Sequence, residues 1–119
     1  MINGTSIKQR DIILIPFPYS DLNGIKKRPA LILSGKDYLS KNNDVICCAM
    51  TSSPKNFDRG VMITNIDLDL GHLDFDTAVI PCKLFNSHKH MIIKHIGRLN
   101  IKKSKEVVEF LKVNIKIDE

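Results

Sequence analysis

The chain has 119 residues, 43% hydrophobic and 26% charged, with no tryptophan. Those proportions fit one ordinary globular domain over residues 1–119 and exclude a disordered tail or a disulfide-knotted miniprotein. No apolar run approaches the ~20 residues that cross a bilayer and no secretory leader opens the chain, so the expected location is the cytoplasm, away from membranes.

The net charge of +5 is unevenly spread. Residues 1–55 carry eight basic and four acidic side chains, residues 56–82 only Arg59 against five acids, and residues 83–119 nine basic and four acidic. Basic ends fit a polyanionic partner, either a nucleic acid or an acidic protein tail, although a solubility surplus has the same composition. The three cysteines, Cys47, Cys48 and Cys82, show no Cys-x-x-Cys spacing. They read as small buried hydrophobes in a reducing compartment rather than as a disulfide framework or a zinc site.

In chain order, residues 12–18 form a β-branched strand, apolar on both faces, that leaves its ladder at Pro16 and Pro18. A small barrel does not easily cover both faces, so a homodimer is expected. Residues 19–27 form a polar loop turning at Asn23-Gly24. Arg28, held extended before Pro29, opens a second strand, Ala30 to Leu33. A helical turn at 36–41 leads to a third strand, Asp44 to Thr51, which ends in the hydroxyl-rich loop Thr51-Ser52-Ser53-Pro54. Gly60 to Thr64 is a fourth strand and 65–76 an irregular acidic stretch around Gly71. Thr77 to Leu84 is a fifth strand, Asn86 to Lys89 a turn, and His90 to Ile96 a sixth strand. The period then changes to a helix capped by Ser104, with Val107, Val108, Leu111 and Ile115 on one face. Glu106 and Glu109 near its start and Lys112 and Lys116 near its end suit the helix dipole. The sum is a mainly β fold, a small curved sheet or barrel with a C-terminal helix.

No phosphate-binding glycine loop, nucleophile elbow or Cys/His metal pattern is present, so neither a cofactor nor a metal is expected. What remains is a basic and hydroxyl constellation. One loop supplies Ser20, Asp21, Lys26, Lys27 and Arg28; the other supplies Thr51, Ser52, Ser53 and Lys55. If the second and third strands pair antiparallel, Arg28 and Thr51 reach the same sheet edge. A guanidinium fork beside hydroxyls and loop N–H groups suits a phosphate, though ordinary surface loops carry the same residue types. Tyr19 and Phe17 border the first loop, where aromatic rings stack on bases. His88 and His90 are spaced for a metal but lack a third ligand nearby; His72 and His95 are candidate general acids.

The run from Arg10 through Arg28-Pro29-Ala30 to Ser34 resembles the opening of PemK/MazF-type toxins. Asp44 to Pro54, Thr77-Ala-Val-Ile-Pro81 and His95-Ile-Gly-Arg-Leu99 match later motifs of that family in order and spacing. The resemblance covers residues 10–115. It implies a small SH3-like barrel of the CcdB/PemK type with a C-terminal helix, usually a homodimer. The implied activity is a metal-independent, sequence-specific endoribonuclease acting on single-stranded RNA, the toxin of a type II toxin–antitoxin pair, neutralised by an antitoxin with an acidic C-terminal tail. The family's catalytic arginine falls on Arg28 and its catalytic threonine or serine on Thr51. The chain departs from the pattern at Arg10, where glycine is expected, and at Pro81-Cys82-Lys83, where some members carry an Arg and Asp pair. Lys83 then serves at most as a phosphate contact, and no general base is assigned. The alternatives are a gyrase poison on the same fold and a catalytically inactive nucleic-acid-binding barrel.

Overall fold

The computed structural model describes residues 7–18, 25–52 and 59–119. Among them are β1 (Asp11–Pro18), β2 (Ile25–Ile32), α1 (Lys36–Lys41), β3 (Asp44–Thr51), β4 (Val61–Ile63), β5 (Leu68–Gly71), β6 (Thr77–His88), β7 (Lys94–Leu99) and α2 (Ile101–Ile115). The strands form one sheet in the order β4-β6-β3-β2-β1-β7-β5, and every pairing is antiparallel. The fold is mainly β with a C-terminal helix, as expected. The sheet curls strongly. The rings of Phe17 on β1 and Phe85 on β6 meet edge to face at 4.7 Å, although β2 and β3 lie between their strands.

Strand alternation divides the core between the two faces. One face buries Ile13, Ile15, Ala30, Ile32, Val45, Cys47 and Ala49 under Leu39 of α1 and Ile92. The other buries Ile12, Leu31, Cys48, Met50, Val79 and Leu99 against Val107 of α2, with Phe110 beside it. On β1 the face of Ile13 and Ile15 is covered within one chain, while on the other face Ile12 is buried and Leu14 and Pro16 are half-buried. The prolines act on one edge only, since the ladder to β7 ends at Leu14 while that to β2 runs to Pro18.

Several boundaries differ from the sequence reading. β2 begins at Ile25, so Lys26, Lys27 and Arg28 lie in a strand paired to β1 and not in a loop. The acidic stretch holds a 3-10 turn, Asn65–Asp67, and the edge strand β5. β6 runs on to His88 through the expected turn, and β7 starts only at Lys94. Asn100, not Ser104, caps α2, its Oδ1 accepting from Lys103 N at 2.8 Å. With that start, Glu106 and Glu109 fall outside the first turn, and Val108 and Ile115 are exposed.

Arg10 occupies the glycine position with φ of +78°. Its N–H donates to Ile32 O at 3.0 Å and its carbonyl accepts from Leu99 N at 2.9 Å, which ties it to β2 and β7. Its Nη1 donates to Leu99 O at 2.6 Å and to Asp69 at 3.0 Å. A left-handed backbone costs a side-chain-bearing residue about 1–2 kcal/mol, and these four bonds hold it there. Both Arg10→Gly and Arg10→Ala lose the guanidinium bonds, but only glycine relieves the backbone. Arg10→Gly should therefore be the more stable of the two by about 1 kcal/mol in urea unfolding, and equal stabilities would remove the strain.

Cys47 and Cys48 are buried and Cys82 is exposed. Burial pushes the Cys47 thiol up to about 12 and raises Cys48 as well, so neither holds appreciable thiolate at neutral pH. A thiol reagent at pH 8 should modify Cys82 promptly and the other two only after denaturant is added. Prompt modification of two or more thiols would contradict that burial.

Candidate active site

β2 and β3 pair at Ala30 with Ala49, Leu31 with Cys48 and Ile32 with Cys47. Continuing that register by two residues brings Arg28 level with Thr51, past Pro29, which has no N–H to give the ladder. Both belong to the face that buries Ala30 and Ala49, because residues two apart on a strand share a face. The bridged pairs themselves end at Ala30 and Ala49, so the two residues lie just past the β2–β3 ladder, at the same end of both strands. On their outer sides Arg28 is paired with Ile15 of β1 and Thr51 with Ala78 of β6. Both residues are half-buried, and Arg28 Nε is buried. The antiparallel arrangement conjectured from sequence is therefore present. A forked cation and a hydroxyl thus lie at the same end of one antiparallel strand pair, residue types that suit a phosphate.

The other expected residues divide. Lys26, opposite Phe17, shares the face of Arg28; Lys27, opposite Pro16, turns to the other face, and both are exposed. Strand geometry thus separates two lysines that a loop would have let act together. Ser52 is exposed immediately past β3. Lys83 is exposed in β6, in the interruption where Cys48 pairs with Leu84 but Ala49 pairs with Ile80. Tyr19, Ser20, Asp21, Ser53 and Lys55 lie outside the described residues.

Beside the Arg28–Thr51 pair a groove of about 590 Å³ runs along β6, lined by Ile15, Phe17, Ala49, Lys83, Phe85 and Met91 among others. Sequence reasoning missed it, because Phe17 and Phe85 meet only once the sheet curls. At its far end Tyr38 donates to the Asp44 carboxylate at 3.0 Å and Asn86 Nδ2 to the same group at 2.8 Å. That hydrogen bond to Asp44 raises the Tyr38 phenol above its ordinary value.

The histidines are dispersed. The rings of His88 and His90 lie with centroids 4.0 Å apart and planes tilted by 51°. Among the described residues no three His, Cys, Asp or Glu side chains are grouped to hold a metal ion. His72 is exposed beside Asp74 at 3.8 Å. His95 stands 3.2 Å from the fully buried Asp11, which also binds Arg98. Asp11 and Arg98 carry the Asp and Ile-Gly-Arg motifs, so those motifs meet as a structural ion pair. Among the described residues no helix is long and apolar enough to cross a membrane.

The fold is shared with several solved toxins. The Mycobacterium tuberculosis toxin MazF-mt6 is 16% identical, with a TM-score of 0.69 over 92% of this chain and 100% of its own. A MazE–MazF structure from Deinococcus radiodurans is 18% identical, with a TM-score of 0.69 over 94% of this chain and 97% of the other. An endoribonuclease in complex with its cognate antitoxin, from a mycobacterial species, is 14% identical, with a TM-score of 0.74 over 96% and 99%. No curated protein matches by sequence. The family model for PemK-like, MazF-like toxins matches residues 8–115, nearly the whole chain. The Arg28–Thr51 strand pair and its groove thus stand in a chain that belongs to the PemK-like, MazF-like toxins of type II toxin–antitoxin systems.

Proposed function

We propose that the chain is an endoribonuclease that cleaves single-stranded RNA without a metal, through the RNA's own 2′-hydroxyl. What supports this reading is the antiparallel β2–β3 register, which, continued two residues past Ala30 and Ala49, would bring Arg28 level with Thr51 on one face of the sheet. The 2′-oxygen attacks the adjacent phosphorus in line and the bond from phosphorus to the 5′-oxygen breaks. The 2′-proton leaves, the departing 5′-oxygen gains a proton, and the products carry 2′,3′-cyclic phosphate and 5′-hydroxyl ends. Arg28 stabilises the charge gathered on the phosphorane with two parallel N–H donors, and Thr51 Oγ1 and the Ser52 N–H hold a non-bridging oxygen. A guanidinium is a poor base near neutral pH, so Arg28 is given charge stabilisation and not proton transfer.

Lys26 and Lys83 extend the positive charge beside the pair and meet neighbouring phosphates. The residues expected from sequence in the flanking loops, Tyr19, Ser20, Asp21, Ser53 and Lys55, complete the RNA path in this reading. The same basic surface attracts an acidic antitoxin tail that orders on binding and competes with RNA. A neighbour named as an endoribonuclease in complex with its cognate antitoxin supports that partner, and a homodimer working in the cytoplasm completes the proposal.

Purified protein should cut single-stranded RNA in EDTA and leave cyclic phosphate ends. Arg28→Ala should lose several orders of magnitude in rate with RNA affinity much less affected, and Arg28→Lys should recover little, because an ammonium lacks the fork. Thr51→Ala should cost roughly tenfold to a hundredfold, since the N–H donor stays. Intact RNA under all conditions would favour the gyrase poison or the inactive barrel. Near-normal cleavage by Arg28→Ala would move the site elsewhere, and Mg²⁺-dependent cleavage leaving 5′-phosphates would replace the mechanism.

A further inference from the structure

Between β4 and β6 the chain makes an acidic loop that the phosphate chemistry does not use, and its backbone is firmly braced. Thr64 and Asp67 form a capping box, with Thr64 N donating to Asp67 Oδ2 at 2.9 Å. The Asn65 side chain clamps the Leu73 main chain, Nδ2 donating to Leu73 O at 2.9 Å and Oδ1 accepting from Leu73 N at 2.7 Å. Asn100 N at the head of α2 donates to Asp67 O at 2.7 Å, and Thr77 Oγ1 donates to Phe75 O at 2.9 Å. Leu73 itself is buried in the core beside α2.

On this braced loop three large apolar side chains face water: Ile66 is 88% exposed, Phe75 70% and Leu70 43%. Ile66 adjoins Asn65, and Phe75 lies two residues beyond Leu73, so the clamp holds both near the closure of the loop. The hydrogen bonds thus fix the backbone with apolar side chains turned outward, at the cost of hydrating them. Residues 65–76 hold four aspartates and no lysine or arginine. Two of the four are engaged within the chain, Asp67 by Thr64 N and Asp69 by Arg10 Nη1. Asp74 and Asp76 are exposed on either side of Phe75 in the chain, with the exposed His72 3.8 Å from Asp74.

We propose that this loop docks a basic, apolar segment of another protein. An arginine or lysine of the partner lies on the ring of Phe75, within reach of the Asp74 and Asp76 carboxylates, and an apolar neighbour covers Ile66. The sign of the charge selects the occupant. Carboxylates repel the phosphates of RNA and any acidic tail. A second copy docked through the same loop about a twofold axis would set aspartates against aspartates, and opposed like charges destabilise. The chain thus offers two surfaces of opposite sign, a basic one at Arg28 and Lys26 and this acidic one for a cationic partner. The inference is independent of the ribonuclease reading, since it uses none of the residues given to cleavage.

The test uses the full chain, labelled with nitrogen-15 for amide spectra, and three synthetic octapeptides. One alternates arginine with leucine, one glutamate with leucine, and one arginine with glycine. The arginine–leucine peptide should shift the amides of residues 65–76 saturably, and raising sodium chloride from about 50 to about 300 mM should weaken it severalfold. The glutamate–leucine peptide should leave those amides unmoved, and the arginine–glycine peptide should bind about tenfold more weakly. Phe75→Ser, and Asp74→Asn combined with Asp76→Asn, should each weaken the arginine–leucine peptide about tenfold. These side chains are exposed, so both variants should melt with the wild type, and lost affinity is then not a lost fold. No shift with any peptide, shifts confined to other residues, equal binding of the glutamate–leucine peptide, or unchanged affinity in Phe75→Ser would overturn the inference. So would a 2′-O-methyl oligoribonucleotide that shifts the same amides, or a self-association of the wild type that Phe75→Ser abolishes. The loop would then hold RNA or a second copy.

Discussion

The sheet is organised around one buried negative charge. Asp11 is 0% exposed, and its carboxylate accepts from Arg98 Nε at 2.6 Å and from Lys8 N at 2.8 Å, with His95 Nε2 3.2 Å away. A carboxylate without such partners would cost several kcal/mol to bury, so the position is tolerable only when β1 and β7 are aligned. Asp11 and Arg98 are opposed residues of those two strands. Gly97 next to Arg98 adds a second restraint, because a Cβ there would meet Leu70 O of β5 at 2.7 Å. The two motifs that flank the chain thus fix the frame in which the site stands.

From that frame the site follows by register. β1 lies between β7 and β2 and carries Ile15, which is paired with Arg28. β2 in turn pairs with β3, whose last residue is Thr51. A slip of one residue at any of these seams would send Arg28 or Thr51 to the opposite face, among Leu31, Cys48 and Met50. Apolar burial on both faces opposes such a slip, so the positions of two polar side chains are set by the hydrophobic residues between them.

Much of this was legible in the sequence, and the failures have physical causes. The β-branched run marked β1, strands at 44–51 and from Thr77 were expected and are present as β3 and β6, and the Arg28-Pro29 and Thr51-Ser52 boundaries located the two candidate residues at one end of β2 and β3. Lys26 and Lys27 read as loop because their own propensities are polar; pairing with Pro16 and Phe17 makes them strand. β5, with Asp69 and Gly71 among its four residues, carries no strand pattern and exists through its pairing with β7. Ser104 and Asn100 are both good caps, and the connection from β7 selects the earlier one. The groove could not be read at all, because Phe17 and Phe85 are distant in sequence and meet only across the curled sheet.

The 87 residues between Asp11 and Arg98 have a consequence for the order in which the molecule is made. Arg28 and Thr51 leave the ribosome well before the strand that neutralises Asp11. Closing so long a loop is entropically costly and comes late in folding. A nascent chain carrying both site residues thus still lacks the frame that holds them in register. The two residues are thus held in their final register only after β7 has joined β1, so the frame of the candidate site forms later than the residues it carries.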